Sequence, residues 1–203
     1  MKLSATVLLA TAASVQGFTT IGQSKGFSTA LNEAKIYYAS STGNTETIAG
    51  YISEAAGCDC EDIGDVDIEE LKGLDSLIVG APTWNTGADT ERSGTDWDDF
   101  LYQTLPDLHD HIKGKKVAVF GLGDQESYGD NFSDAAGELY DLFETAGAKM
   151  YGLTSQEGYG HDESKAIRDG KFCGLICDED NQYDMSEDRA QEWVDQLKSE
   201  GFF

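Results

Sequence analysis

Apolar residues in this chain occur in two kinds of run. Some stretches are short and nearly continuous; in others the apolar positions recur every three or four residues. Ala34-Lys35-Ile36-Tyr37-Tyr38, Ser76-Leu77-Ile78-Val79-Gly80 and Lys116-Val117-Ala118-Val119-Phe120 are of the first kind and predict strands. The run at 76–80 is continuous enough for a parallel sheet covered on both faces. Cys58 to Ile63 predicts a weaker strand between the first two. Lys149 to Leu153 begins a fifth, which resumes at Phe172 after a polar excursion through Gly158, Tyr159, Gly160 and Asp162.

The second kind of run predicts helices between the strands. Ile48, Ile52 and Ala55 mark one, Asp67 to Lys72 a short second, and a third starts near Thr95. Phe132, Ala135, Ala136, Leu139, Leu142 and Phe143 give an amphipathic face that ends at Gly147. Ser186 is placed to cap a last helix with its apolar face at Ala190, Trp193, Val194 and Leu197. Strand and helix thus alternate five times, which predicts an α/β domain with a parallel sheet between two helical layers. Ligands bind such folds at the carboxyl ends of strands. Three loops fall there: 39–45, 82–95 and 121–131.

The first loop, Ala39-Ser40-Ser41-Thr42-Gly43-Asn44-Thr45, presents N–H groups and hydroxyls at the start of a helix. That suits a phosphate. The same residues also serve as an ordinary Ser/Thr cap with a glycine turn. A Walker loop is excluded, because Gly43 is followed by Asn44 and not by Lys. Gly121-Leu122-Gly123 does not complete the Rossmann fingerprint, since Glu126 stands where a third glycine would be.

Charge narrows the function classes. The 203 residues carry 14 basic and 38 acidic side chains, a net charge of −24. Nucleic-acid binding needs a basic footprint that is missing here, so basic proteins are the expected partners. Cys58, Cys60, Cys173 and Cys177 have no zinc spacing, and His109, His111 and His161 are scattered, so no metal site is expected.

The first 33 residues differ in composition from the rest. Residues 1–17 read as a signal peptide, with Lys2 followed by an apolar region too short to span a bilayer. Residues 18–33 are rich in Ser, Thr and Gly and poor in acids, as transit peptides are. Together they resemble the bipartite plastid leaders of algae with secondary plastids, although Gly17-Phe18 departs from the commonest Ala-Phe junction. The expected location is the chloroplast stroma, with secretion as the alternative. The leader contains Lys2, Lys25 and Glu33, which leaves 34–203 at about −25.

Over 34–203 the chain resembles flavodoxin of the long-chain kind, most closely those of eukaryotic algae. The likeness is carried by Ser-Ser-Thr-Gly-Asn-Thr at 40–45, Ala-Pro-Thr-Trp-Asn-Thr-Gly at 81–87, Gly-Leu-Gly-Asp-Gln at 121–125, Asp-Asn-Phe at 130–132 and Ser-Lys-Ala-Ile-Arg-Asp-Gly-Lys-Phe-Cys-Gly-Leu at 164–175. It implies a flavodoxin-like three-layer fold with a five-stranded parallel sheet in the order 2-1-3-4-5, the fifth strand interrupted by an insertion.

The resemblance also implies bound FMN. Ser40, Ser41, Thr42, Gly43, Asn44 and Thr45 would form its phosphate loop, and Trp84 and Tyr128 would sandwich the isoalloxazine ring. Thr83 stands beside them. Asn85, Thr86 and Gly87 match the peptide that turns its carbonyl toward flavin N5 when an electron and a proton arrive. Thr86 stands where some members have Gly, which raises the cost of that turn. Leu122, Gly123 and Asp124 would bond the pyrimidine edge, and Asn131 would fix their loop.

Neutrality of the phosphate loop and the surrounding acids both favour low potential. One acid about 10 Å from the flavin, at an effective dielectric of about 20, opposes a further negative charge by about 1.7 kcal/mol, or roughly 70 mV. The implied protein is a monomeric one-electron carrier without catalytic residues, passing electrons from photosystem I to ferredoxin–NADP reductase in place of ferredoxin. An FMN-dependent NAD(P)H:quinone reductase on the same fold is the alternative. A receiver-type signalling module is disfavoured, because Ser40, Ser41 and Thr42 stand where it needs clustered acids.

Overall fold

The sheet is built from strands β1 (Ala34–Tyr38), β2 (Cys60–Asp62), β3 (Ser76–Pro82), β4 (Lys116–Leu122), β5 (Lys149–Tyr151) and β8 (Gly174–Cys177). These come from a computed structural model that describes residues 34–203. The expected signal peptide at 1–17 and transit segment at 18–33 lie outside the described residues. Every pairing in this sheet is parallel, in the order β2-β1-β3-β4, with β4 bordered by both β5 and β8. β5 pairs with Lys116, Val117 and Ala118 of β4, and β8 continues along the same edge beside Val119 to Leu122. The fifth strand is therefore one strand in space and two in sequence, as expected.

Alternation along the strands divides the core. Tyr37, Leu77, Val79, Val117 and Val119 point to one face and pack with Trp97, Phe132, Leu139 and Phe143. Ile36, Ile78, Ala118 and Phe120 point to the other and meet Ile48, Ile52, Trp193, Val194 and Leu197. Helices α1 (Asn44–Ala56) and α6 (Ser186–Ser199) cover this second face. α5 (Asp134–Thr145) and the short helical turns after β3 cover the first. α2 (Ile68–Gly73) starts at Asp67, whose carboxylate accepts from the N–H groups of Glu69 and Glu70, a side-chain cap of the usual kind.

Several boundaries differ from the sequence expectation, each for a local reason. The helix expected from Thr95 forms in pieces. α3 (Asp96–Asp99) runs into a π turn (Phe100–Thr104), a 3-10 turn (Leu105–Leu108) and α4 (His109–Ile112). Pro106 lies at the start of the 3-10 turn and has no N–H with which to continue the i to i−4 ladder. Phe132 is fully buried with the α5 face but precedes the helix, which begins at Asp134 after Ser133 in a left-handed conformation. Ser186 is the first helical residue, not the cap; its hydroxyl donates to Glu179. The fifth strand resumes at Gly174, because Lys171–Phe172 (β7) is taken up by antiparallel pairing with Ile167–Arg168 (β6).

The excursion between β5 and β8 has its own small aromatic core. His161 stacks on Phe132 with centroids 5.2 Å apart, and Tyr159 and Phe172 close the group. Burial holds the His161 imidazole below its ordinary pKa, against the pull of Asp162. The folded state thus prefers neutral His161. Folding is unaffected by this group above the unfolded pKa of about 6.5 and is progressively destabilised as pH falls from that value toward the lower folded one. We expect the urea midpoint of wild type to fall relative to that of His161→Phe between pH 7.5 and pH 5.5, because only the wild type has an imidazole that titrates differently in the folded and unfolded chains. A constant gap across that range would show that His161 does not titrate differently on folding.

Candidate functional site

Loops at the carboxyl ends of β1, β3, β4 and β8 meet around one cleft of about 430 Å³. At its first wall the chain leaves β1 with the N–H of Ala39 donating to Gly80 O at 3.2 Å. Ser40 Oγ then accepts from the N–H of Gly43 at 3.0 Å, which closes a tight turn. Gly43 has φ +94°, a region that side-chain-bearing residues avoid, and it sits at the N-cap of α1. It offers no side chain to the helix. Among the described residues the N–H groups of Asn44, Thr45 and Glu46 have no backbone acceptor, while Gly43 O accepts from Thr47 N and Oγ1. Thr42, Asn44 and Thr45 line the cleft, Thr45 at only 1% exposure. A helix N-terminus with open donors is an anion site in waiting.

The second wall follows β3. Thr83 Oγ1 accepts from the N–H of Ala135 at 3.2 Å and so ties this loop to the start of α5. Trp84 is 50% exposed and lies along the cleft beside Pro82, Thr83 and Thr86. Asn85 O accepts from Ala88 N at 3.2 Å across a turn in which Gly87 has φ +77°. The side chain of Asn85 turns away, its amide donating to Glu91 O at 2.6 Å.

The third wall follows β4. The N–H of Gly123 donates to Cys177 O at 3.2 Å, which joins this loop to the end of β8. Asp124 Oδ1 accepts from Glu126 N, Ser127 N and Asn181 Nδ2. Partial burial pushes the Asp124 carboxyl up, but these bonds outweigh it and hold the group below its usual range. The resulting turn leads to Tyr128, 54% exposed, whose carbonyl accepts from Asn131 N at 3.0 Å.

A fourth wall was not expected. Asp178 is fully buried and accepts from Gln125 N, Asp180 N, Asn181 N and Asn181 Nδ2, which knots the loop after β8 to the loop after β4. This places Glu179 and Asp180 on the cleft. Burial raises the pKa of both carboxyls, with Asp124 and Asp178 adding to the rise at Asp180 and Asp178 and Asp180 at Glu179. The available signal was position: residues 178–182 directly follow the apolar run at 172–177, at a strand's carboxyl end.

Of the residues expected at the site, Thr42, Asn44, Thr45, Thr83, Trp84, Thr86, Leu122, Gly123, Asp124, Tyr128 and Asn131 line this one cleft. Ser40, Ser41, Gly43, Asn85 and Gly87 lie in its loops but not on its lining. Pro82, Glu179 and Asp180 line it and were not expected. No Lys or Arg is among the lining residues, so an anion there would be held by N–H groups and hydroxyls alone. Among the described residues no cluster of three or more His, Cys, Asp or Glu is arranged for a metal ion, and no helix is long and apolar enough to cross a membrane.

A family model described as flavodoxin matches residues 36–193. The chain is 44% identical over 172 residues to a flavodoxin of Picosynechococcus sp., covering 83% of this chain and 97% of that protein. It is 40% identical over 169 residues to flavodoxin 1 of Escherichia coli, covering 81% and 92%. Among solved structures, the flavodoxin of Fusobacterium nucleatum bound to flavin mononucleotide superposes with a TM-score of 0.69 at 29% identity, over 82% of this chain and 97% of that one.

Proposed function

The chain belongs to the flavodoxin family, and we propose that it is an FMN-dependent, low-potential one-electron carrier that takes electrons from photosystem I and delivers them to ferredoxin–NADP reductase in place of ferredoxin. The observation that carries this reading is the cleft itself. Open helix donors at Asn44 and Thr45, two half-exposed aromatics, Trp84 and Tyr128, and the backbone of the 122–124 loop all line one space of about 430 Å³. That set fits a phosphate at one end, a flat apolar ring between aromatics, and a polar ring edge against backbone groups.

FMN supplies the redox chemistry when bound; the chain's own residues hold and tune it. Thr42, Asn44 and Thr45 would hold the phosphate without neutralising it, since no cation lines the cleft. Trp84 and Tyr128 would stack on the ring and exclude water from its faces. Glu179, Asp180 and Asp124 place negative charge on the same cleft, which disfavours adding more and lowers the potential. Asn85 O already accepts from Ala88 N, so turning that carbonyl toward the ring requires giving up one backbone bond.

The acid excess supports the partners proposed. A net charge of −24 steers the protein toward basic docking surfaces and speeds encounter at low salt. The composition of residues 1–33 supports delivery to the chloroplast stroma; a fluorescent fusion of that segment appearing in the medium would instead establish secretion. A carrier should not oxidise NADH by itself, whereas a quinone reductase on this fold would do so with benzoquinone present.

We expect the protein to take up one FMN and turn yellow, and an anaerobic redox titration followed by absorbance to show two separated one-electron steps. A protein that stays colourless and takes up no FMN would overturn the reading.

A further inference from the structure

Glu138 is a buried acid on the core-facing side of α5, one turn after the buried Asp134 that begins the helix, and only 3% of it is exposed. A buried carboxylate is costly unless it is fully hydrogen-bonded, so its partners indicate why it is there. Oε1 accepts from the N–H of Glu91 at 2.9 Å and from the phenol of Tyr102; Oε2 accepts from the N–H of Arg92 at 2.8 Å. The carbonyls of the same two residues face the other way. Glu91 O accepts from Asn85 Nδ2 at 2.6 Å and Arg92 O accepts from Asn85 N at 3.1 Å. Glu91 and Arg92 therefore form a two-peptide strap, bonded to Glu138 by their N–H groups and to Asn85 by their carbonyls.

The strap is held at a demanding geometry. Glu91 has φ +58°, which a side-chain-bearing residue adopts only when its surroundings enforce it. Three residues on, the backbone of Gly94 lies so close to Trp84 that an added Cβ would stand 2.9 Å from the Trp84 Cβ. Gly94 is itself held by its N–H donating to Asp98 Oδ2 at 2.8 Å. Every one of these bonds lies behind the Trp84–Asn85 wall of the cleft. None touches the cleft space.

We propose that Glu138 is a positioning residue for the cofactor site, setting the Trp84–Asn85 wall through the 91–92 strap. This rests on the FMN reading above and adds to it a control point about one helix turn inside α5. Because a carboxylate accepts at both oxygens, it can hold two adjacent N–H groups at once. An amide at 138 has one acceptor oxygen and would set its NH2 against the other N–H. The strap would then be released on one side, and with it the geometry of Asn85 and the backing of Trp84.

Three measurements on the full chain test this: amide hydrogen exchange at Glu91 and Arg92 in ligand-free protein, the Kd for FMN, and the potential of the bound flavin. Glu138→Gln should lose exchange protection at one or both strap amides, weaken FMN by about tenfold or more, and shift the potential. Tyr102→Phe, which removes the phenol and leaves both strap bonds, should match wild type within about twofold in Kd. If Glu138→Gln does not fold, Glu138→Asp carries the test, since its shorter side chain cannot span both amides. Lost protection with wild-type Kd and potential would overturn the proposal, as the bonds would then serve stability alone. Equal weakening in Tyr102→Phe would also overturn it, because the effect would run through Tyr102. Should wild type itself fail to bind FMN, the functional reading falls; acrylamide quenching of Trp84, with Trp84→Phe to isolate its signal, then decides whether Glu138 positions the wall. Unchanged quenching in Glu138→Gln would end the proposal.

Discussion

Trp84→Ala is expected to weaken FMN binding by about ten- to a hundredfold, the loss of about 1–3 kcal/mol of ring stacking at 1.4 kcal/mol per factor of ten. The indole reaches the cleft from a loop tied on one side by the Thr83 hydroxyl, which accepts from Ala135 N, and on the other by Asn85 N, which donates to Arg92 O, so it enters the bound state already placed. Little ordering entropy remains to be lost on binding. Half of its surface is exposed, so truncation leaves no cavity behind it. The stability of the ligand-free chain should accordingly stay within about 0.5 kcal/mol of wild type. That separation makes the result interpretable: affinity falls and folding does not. Trp84→Phe keeps a flat ring and should recover most of the loss. Fluorescence titration of FMN measures both variants, and an unchanged Kd in Trp84→Ala would remove Trp84 from the ring-binding surface.

The second large effect is on folding. Gly174→Ala is expected to destabilise the protein by about 3 kcal/mol or more, read as a lower urea midpoint at unchanged slope. Gly174 begins β8 directly opposite Val119 of β4. A Cβ added there would stand 1.8 Å from Val119 O and 2.7 Å from Val119 C. These are main-chain atoms of the central sheet, so no side-chain rotation can relieve the overlap. β8 would have to leave β4, taking with it Asp178 and the bond to Gln125 N that holds the fourth wall of the cleft. Loss of FMN affinity should therefore accompany loss of stability. Gly50→Ala is the control, because that glycine lies within α1 with nothing near its would-be Cβ. It should raise stability by about 0.5–1 kcal/mol. A Gly174→Ala protein as stable as wild type would mean that β8 is not seated on β4.

Much of this was legible in the residues. The runs at 34–38, 76–80 and 116–120 became strands because nearly unbroken apolar sequence has one stable place, the middle of a covered sheet. Loops at 39–45, 82–95 and 121–131 reached the cleft because right-handed crossovers return every parallel strand in the same direction, so their carboxyl ends share an edge. Where local signals competed, the sequence reading was less accurate. Phe132 has the spacing of a helix face and is buried with it, yet its backbone is not helical, since hydrophobic spacing reports burial and not dihedral angles. Ser186 has the composition of a cap, but a preceding 3-10 turn, Tyr183–Met185, moved the helix start and freed its hydroxyl for Glu179.

The sequence by itself determined the order of strands and helices, the split of the fifth strand and the neutral first loop, because each is encoded over neighbouring residues by periodicity or by side-chain chemistry. Only the tertiary structure decided that Glu138 grips residues 46 and 47 positions before it, that Asp178 grips Gln125 53 positions away, and that Glu179 and Asp180 face the cleft. Contacts at such separations leave no periodic trace, and a carboxylate in a polar loop looks the same whether it faces solvent or a buried amide. Its meaning depends on which backbone N–H groups the folded sheet brings within 3 Å of it.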